Sequence, residues 1–161
     1  MNVKRYNIEL SDAMHPALVE EKTYDCLSLA HHGCRDVADM LNTCCRLDRS
    51  AEERVLMAAF NVKMETIGIF EISHGTVDKS LLSPREIFIR ALLVGAKYII
   101  IAHNHPSGDP SPSADDDRCC RVIERAGRLL GVPMIDFIIL GRGDVFGYLE
   151  NGRIGSGEAS E

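Results

Sequence analysis

The chain has 161 residues, of which 45% are hydrophobic, and a formal net charge of −6 at pH 7. That length suits one domain with room for a short appendage, and the hydrophobic content is ordinary for a globular fold. An acidic balance excludes a typical DNA-binding domain with a basic stripe, so we expect any DNA affinity to be weak. No apolar run reaches the roughly 18 residues of a membrane span, so we expect no membrane contact.

The six cysteines include two adjacent pairs, Cys44–Cys45 and Cys119–Cys120. Adjacent pairs do not suit the disulfide framework of a small secreted protein, and the N-terminus Met1–Tyr6 lacks the apolar core of a signal peptide. We therefore expect a cytoplasmic protein whose cysteines are free and pack as small hydrophobes.

Residues 1–48 form a predicted N-terminal strand and helical appendage. Val3–Leu10 alternates between polar and apolar residues, which predicts a short edge strand. Residues 11–32 have no clean period and are predicted to be loop with fragments of helix, whereas Asp36–Leu47 has helical spacing. The run His31–Cys34 also suggests metal ligands, but no second half follows at zinc spacing, which favours polar residues at a helix entry.

Two apolar segments, Glu53–Val62 and Glu65–Ile72, predict a β-hairpin whose first strand is apolar enough to be central. Ser83–Glu86 has the pattern of a capping box with proline at the first helical position, and predicts a helix that runs to about Gly95. The buried strand Lys97–Ala102 follows. Because a helix separates the hairpin from this strand, we expect the two to pair in parallel.

Ser113 is predicted to cap the next helix, Ala114–Leu130, which ends at the following glycine. Pro133–Leu140 and Val145–Glu150 predict a final hairpin, and residues 151–161 a flexible tail rich in glycine and serine. Strands and helices in this order predict an α/β (α+β) fold, a mixed β-sheet flanked by helices.

The most informative segment runs from His103 to Asp116 and reads His-Asn-His-Pro-Ser-Gly-Asp-Pro-Ser-Pro-Ser-Ala-Asp-Asp. His103 and His105 stand at i and i+2 at the end of a strand, so both imidazoles can converge on one ion. The prolines and the glycine after them force a turn, which lets the chain return with Asp116. Two histidines and a carboxylate leave a fourth position open on zinc, the pattern of catalytic sites.

The spacing His-x-His, seven residues, Ser, two residues, Asp resembles the metal-binding signature of the JAMM (JAB, MPN-type) zinc metallopeptidases. The full string resembles the RadC-like branch of that family, and so do the segments His74–Val77, Ser83–Phe88 and Gly131–Gly141. The resemblance extends over most of residues 49–150, which we predict to be a JAMM/MPN domain. It implies the JAB/MPN (cytidine-deaminase-like) architecture.

The resemblance also implies that His103, His105 and Asp116 hold Zn²⁺ with water as the fourth ligand, and that the substrate is a peptide or protein. Other zinc enzymes fit less well. The Pro-Cys-x-x-Cys of zinc deaminases and the His-Glu-x-x-His helix of zincins are both absent from the chain.

The family further needs an upstream glutamate as general acid/base. A count back from Gly75 places it at Glu53, with Glu52 as the alternative if the register slips by one residue. Ser113 would donate a hydrogen bond to the oxyanion, although simple helix capping is its plainer role. One departure is visible, because Phe137 stands where the branch usually has histidine. We expect the site to remain, since the three ligands lie elsewhere, and expect the change to remove at most a contact to a ligand or to the substrate.

These observations favour a zinc-dependent metallopeptidase or isopeptidase-type hydrolase. The alternative is a non-catalytic zinc-binding accessory protein in DNA repair or maintenance, and a third hypothesis is a zinc-stabilised interaction module. The candidate base Glu53 favours the first hypothesis over the third, and the acidic net charge weakens the second.

Overall fold

The structure, a computed structural model, describes residues 2–25, 33–75 and 82–155. Within these ranges the chain forms one mixed sheet of seven strands with three α-helices packed on it, which confirms the predicted fold class. The elements in chain order are β1 (Val3–Leu10), β2 (Pro16–Tyr24), α1 (Cys34–Cys45), a 3₁₀ turn (Leu47–Arg49), β3 (Arg54–Phe60), β4 (Thr66–His74), α2 (Pro84–Leu93), β5 (Tyr98–Asn104), α3 (Ala114–Leu130), β6 (Met134–Leu140) and β7 (Val145–Gly147). None of these helices is long and apolar enough to cross a membrane.

The central position of β3 decides how the sheet is assembled. The strand order is β2-β1-β4-β3-β5-β6-β7, so β3 lies between its hairpin partner β4 and the histidine-bearing β5. It pairs antiparallel with both, and Val55 lies opposite His103. The expected parallel pairing between the hairpin and β5 is therefore wrong. The crossover through α2 does give β5 the direction of β4, but β3 occupies the position between them.

Strand β2 differs most from the sequence-based expectation. We expect loop and fragments of helix over residues 11–32, yet Pro16–Tyr24 forms a strand that pairs antiparallel with β1. Its side chains are mostly exposed, so no alternation of buried and exposed positions marks it in the sequence. Strand β2 forms one edge of the sheet, and β1 lies between β2 and β4.

Helices cover both faces of the sheet, and β3 is buried on both. Alternate residues of β3 join two separate cores, one beneath α1 and one beneath α2 and α3. The first core contains Leu56, Ala58 and Phe60, and the second contains Val55, Met57 and Ala59. Burial on both faces explains the unbroken apolar sequence of this strand and gives the site a rigid support.

The two helices that lie on the second face begin by different means. Ser83 precedes α2 and Pro84 is its first residue, as predicted, but the Ser83 side chain makes no capping hydrogen bond. The predicted capping box is wrong at this helix, because Glu86 pairs with Arg85 and Arg90 instead. Helix α3 has the bounds that the sequence predicts.

The predicted appendage and the predicted tail both contact the rest of the chain. Strands β1 and β2 belong to the same sheet as β3. Beyond β7, Arg153 pairs with Asp117 at 2.7 Å and Ile154 is buried, so this part of the predicted tail packs on the domain. Residues 156–161 lie outside the described residues, and the predicted boundaries at 48 and 150 stay predictions.

The cysteines in the described ranges are thiols rather than members of disulfides. Cys44, Cys45 and Cys120 are buried among apolar side chains, which confirms their interpretation as small hydrophobes. Cys26 and the His31–His32 pair lie outside the described residues.

Candidate metal centre

Strand β5 delivers both histidines to one side of the sheet end. The Nε2 atoms of His103 and His105 lie 3.1 Å apart, as the i, i+2 spacing predicts. Beyond the strand, the backbone N–H of His105 donates to the carbonyl of Leu140 at 2.8 Å and continues the alignment with β6. His103 is 2% exposed, and this burial gives its ring a single defined environment.

The proline-rich loop after His105 is held against the turn between β6 and β7. Arg142 N–H donates to the carbonyl of Gly108 at 2.8 Å, and Gly108 has a φ of 87°, which favours glycine. Gly141 must also be a glycine, because a Cβ there would lie 2.9 Å from the Pro110 nitrogen and closer still to the Gly108 carbonyl oxygen. The loop is therefore positioned by backbone contacts before any ion binds.

Helix α3 returns the carboxylate to the histidines. Ser113 caps the helix and Asp116 is its third residue, in a capping box whose two side chains each accept from the other's backbone N–H. Asp116 Oδ2 also accepts from the Ser113 hydroxyl at 2.6 Å. One Asp116 oxygen lies 3.2 Å from His103 Nε2, and the other lies 3.5 Å from His105 Nε2.

The Asp116 carboxylate is held in its ionised form. Burial alone would raise its pKa, but contacts from His103 and His105 and the hydrogen bonds from Ser113 outweigh burial. The pKa of Asp116 therefore lies well below its usual range. The N-terminus of α3 adds a favourable partial positive charge.

The structure brings Glu53, rather than Glu52, to this cluster. Glu53 Oε1 lies 4.0 Å from His103 Nε2, and one atom from each of Glu53, His103, His105 and Asp116 lies within 4.8 Å of the others. Glu52 is exposed and faces His74, at 3.3 Å. Glu53 immediately precedes β3, so its placement depends on the segment before the strand rather than on strand alternation.

The donor set fits one tetrahedral ion. Zinc–ligand bonds of 2.0–2.1 Å imply ligand atoms about 3.3–3.4 Å apart along the edges of a tetrahedron. The two histidine Nε2 atoms lie 3.1 Å apart, and each has its own Asp116 oxygen near that spacing, Oδ1 at 3.2 Å from His103 and Oδ2 at 3.5 Å from His105. Glu53 Oε1, at 4.0 Å from His103 Nε2, lies farther from that nitrogen than the Asp116 oxygen does.

The two histidines differ in the surroundings of their second ring nitrogen, Nδ1. His105 Nδ1 donates to the Asp109 carbonyl at 2.8 Å, which leaves a lone pair on Nε2 for a metal. His103 Nδ1 is buried and has no hydrogen-bond partner among the described residues. The centroids of the Phe137 and His103 rings lie 5.4 Å apart, so the departure at position 137 packs an apolar ring against the His103 imidazole.

A small cavity opens beside the cluster. Its lining combines the polar site residues with an apolar wall: Glu53, Val55, Ser73, Leu82, His103, Asp116 and Cys119. Its volume of about 20 Å³ exceeds the roughly 10–15 Å³ that one water molecule needs. Sequence reasoning missed Ser73 and Cys119 here, although Cys119 lies three residues after Asp116 and so on the same face of α3.

Ser113 has its capping role in this structure. Its hydroxyl donates to Asp116 and accepts from the Asp116 N–H at 3.2 Å. The oxyanion role of Ser113, the acid/base role of Glu53 and the ligand roles of the histidines and Asp116 stay predictions, now with compatible geometry.

The protein is an α+β domain with a candidate metal-binding site. Two histidines and two carboxylates meet at one end of its mixed sheet. Comparison with known proteins agrees with the sequence resemblance. The profile of the RadC-like JAB domain family matches residues 32–153, and the chain belongs to that family.

Curated relatives carry little functional information in their names. The chain is 46% identical over 85 residues to a protein of Alkaliphilus metalliredigens, covering 53% of this chain and 37% of that one. It is 42% identical over 110 residues to a protein of Moorella thermoacetica, covering 68% and 47%. A Thermotoga maritima protein is 37% identical over 102 residues, covering 63% and 46%. All three are named UPF0758 protein, and the chain spans less than half the length of each.

Proposed function

We propose that the protein is a zinc-dependent metallopeptidase or isopeptidase-type hydrolase that acts on a peptide or protein in the cytoplasm. The observation that carries this proposal is the convergence of His103, His105 and Asp116, with Glu53 beside them, so that one ligand atom from each of the four lies within 4.8 Å of the others. The reduced state of the cysteines in the described ranges supports a reducing compartment.

The proposed roles follow from position. His103, His105 and Asp116 hold the ion. A bound Zn²⁺ would polarise a carbonyl and lower the pKa of a coordinated water to about 7. Glu53, with its carboxylate 4.0 Å from His103 Nε2, accepts a proton from the attacking water and passes it to the leaving amine nitrogen.

Ser113 has two possible partners in the proposed reaction. Its hydroxyl donates to Asp116 at 2.6 Å and so keeps that carboxylate in place. Stabilisation of the tetrahedral oxyanion by Ser113 requires this proton to turn from Asp116 toward the substrate. Removal of the hydroxyl should therefore weaken metal retention as well as turnover.

Glu53→Gln is the sharpest test of the proposal. Glutamine is nearly isosteric but cannot take the proton, and loss of a general base costs about 10²–10⁴-fold in rate. We expect the variant to fold, retain zinc and lose peptide-bond cleavage, measured with a peptide library and elemental analysis.

Glu52→Gln is the matched control, because Glu52 is the neighbouring glutamate and is exposed beside His74. It should cleave like the unmodified protein. Full activity in both variants would exclude this mechanism, and full activity only in Glu53→Gln would assign the base to Glu52.

A further inference from the structure

Asn104 stands between the two candidate histidine ligands in the sequence, but its side chain forms hydrogen bonds elsewhere. It is 2% exposed, and strand alternation turns it away from the face on which His103 and His105 converge. A buried primary amide must find partners for its oxygen and its nitrogen, or it destabilises the fold. The partners that Asn104 finds lie in the segment that carries Glu53.

Three hydrogen bonds join Asn104 to the residues before β3. Its Oδ1 accepts from the Arg54 backbone N–H at 2.8 Å, and its Nδ2 donates to the carbonyls of Glu52 at 3.1 Å and Ser50 at 3.3 Å. The partners define the orientation of the amide, because a backbone N–H needs an acceptor and two carbonyls need a donor. The bonds to Glu52 and Arg54 therefore bracket Glu53 on both sides.

Glu53 needs such a support because it lies outside the regular ladder. The β3–β5 pairing ends with Val55 opposite His103, and Asn104 comes next along β5. Its side-chain amide continues the ladder by one step and fixes the backbone of an irregular segment. On the other side of that segment, the Glu53 carbonyl accepts from Gly75 N–H at 3.0 Å.

We propose that Asn104 is a positioning residue that holds Glu53 at its distance from the candidate ion. This inference rests on the proposed function, since it assigns Glu53 the role of the base. A misplacement of about 1 Å at a reacting group can cost on the order of 10²-fold in rate. Asparagine suits the position because alanine removes all three bonds, and aspartate lacks the donor and sets a charge against two carbonyl oxygens.

The test compares Asn104→Ala with Asn61→Ala. Asn61 lies after the other end of β3, and its Oδ1 accepts from the backbone N–H groups of Lys63 at 2.9 Å and Glu65 at 3.1 Å. Both variants lose side-chain bonds to the backbone, but only Asn104 borders Glu53. We expect Asn104→Ala to keep its zinc and lose about 10- to 100-fold in kcat with little change in KM, and Asn61→Ala to keep its kcat.

A double-mutant cycle separates positioning from general destabilisation. If Asn104 acts through Glu53, then Asn104→Ala should cost nothing further in kcat when Glu53→Gln is already present. An additional 10-fold loss in that background would overturn the proposal, and so would loss of zinc from Asn104→Ala alone.

Two readouts need no turnover and so separate this inference from the proposed function. In metal-free protein, Asn104→Ala should speed hydrogen exchange at the Arg54 amide by at least about 10-fold, whereas Asn61→Ala should not. A crystal structure of Asn104→Ala should show the Glu53 carboxylate displaced from its 4.0 Å approach to His103. An unchanged amide or an unchanged distance overturns the positioning role, whereas absence of cleavage by the unmodified protein overturns the proposed hydrolase and leaves both readouts valid.

Discussion

Two aspartates, Asp116 and Asp136, are equally buried, at 5% and 4% exposure, yet their pKa values are shifted in opposite directions. The pKa of Asp116 is lowered, because the contacts from two histidines and Ser113 outweigh its burial. The pKa of Asp136 is raised, because burial outweighs the backbone hydrogen bonds that it accepts. The nearby carboxylate of Glu150 raises it further.

The two sites also differ in what the carboxylate holds. Asp136 Oδ1 accepts from the backbone N–H groups of Phe137 at 2.8 Å and Leu149 at 2.9 Å, and so ties the chain after β7 to β6. It lines a separate cavity of about 180 Å³ with Cys34, where burial raises the pKa of the thiol to about 12. Burial alone therefore does not mark an acid as a candidate metal ligand. What distinguishes Asp116 is the set of side chains that converge on it and keep it ionised.

The largest expected effect is a loss of zinc affinity at the candidate site that contains Asp116. His105→Ala removes one of three converging candidate ligands, and we expect zinc affinity to fall by more than about 100-fold, because even indirect partners of a ligand are worth 10–100-fold. Zinc content after dialysis against a graded chelator measures the change.

Asp136→Asn is the matched control, since it alters an equally buried aspartate on a different part of the sheet. It should hold zinc like the unmodified protein. Full zinc content in His105→Ala, or loss of zinc from Asp136→Asn, would show that the ion belongs elsewhere.

Much of this comparison could be predicted from the sequence, and the reasons are local. Helix α3 has a serine cap and a terminal glycine, so its bounds and the place of Asp116 follow from short-range rules. The register of Glu53 could be counted only through family resemblance. Asp136 carries no such signal, because its partners are backbone N–H groups brought together by the pairing of β6 and β7.

Long-range pairing explains the errors in the fold. Strand β2 is held by backbone bonds to β1, and its exposed side chains carry no pattern that a sequence can show. The expected parallel pairing of β5 with the hairpin is wrong because the connection through α2 crosses over one strand. That strand is β3, which comes earlier in the chain and lies between β4 and β5. Asn104 was missed because its partners lie about 50 residues earlier in the sequence.

The next prediction tests the raised pKa of Asp136 through the pH dependence of stability. Because the folded-state pKa of Asp136 is raised above its ordinary 3.8, the ionised carboxylate costs stability. That cost appears as pH rises through 3.8 and is complete above the folded-state pKa. Asparagine cannot ionise, so the free energy of unfolding of Asp136→Asn should increase relative to that of the unmodified protein as pH rises from about 3 to 7, which means that the variant becomes relatively more stable.

Urea denaturation across this range measures the trend in both proteins. A difference that stays constant with pH would mean that Asp136 does not ionise in the window, and a difference that moves the other way would mean that its backbone hydrogen bonds outweigh its burial.

The smallest effect concerns the cysteines on α3. Cys119 lines the cavity beside the metal centre and Cys120 is 2% exposed, but neither belongs to the cluster of candidate ligands. Replacing them by Ala and Ser together should leave zinc content unchanged. Stability should fall by about 1–3 kcal/mol, mainly because the Cys120→Ser hydroxyl is buried. Loss of zinc from a folded double variant would return the cysteines to the ligand set.

The contact of Gly141 with the loop around Gly108 has a kinetic consequence for the ion. Because that loop is docked by backbone contacts of its own, the chain would have no large entropy to lose on binding an ion at the candidate site. Uptake should then resemble ligand entry into a preformed pocket, unlike a zinc finger, which folds only around its metal. Exchange between zinc and cobalt at this site would then proceed without unfolding of the chain.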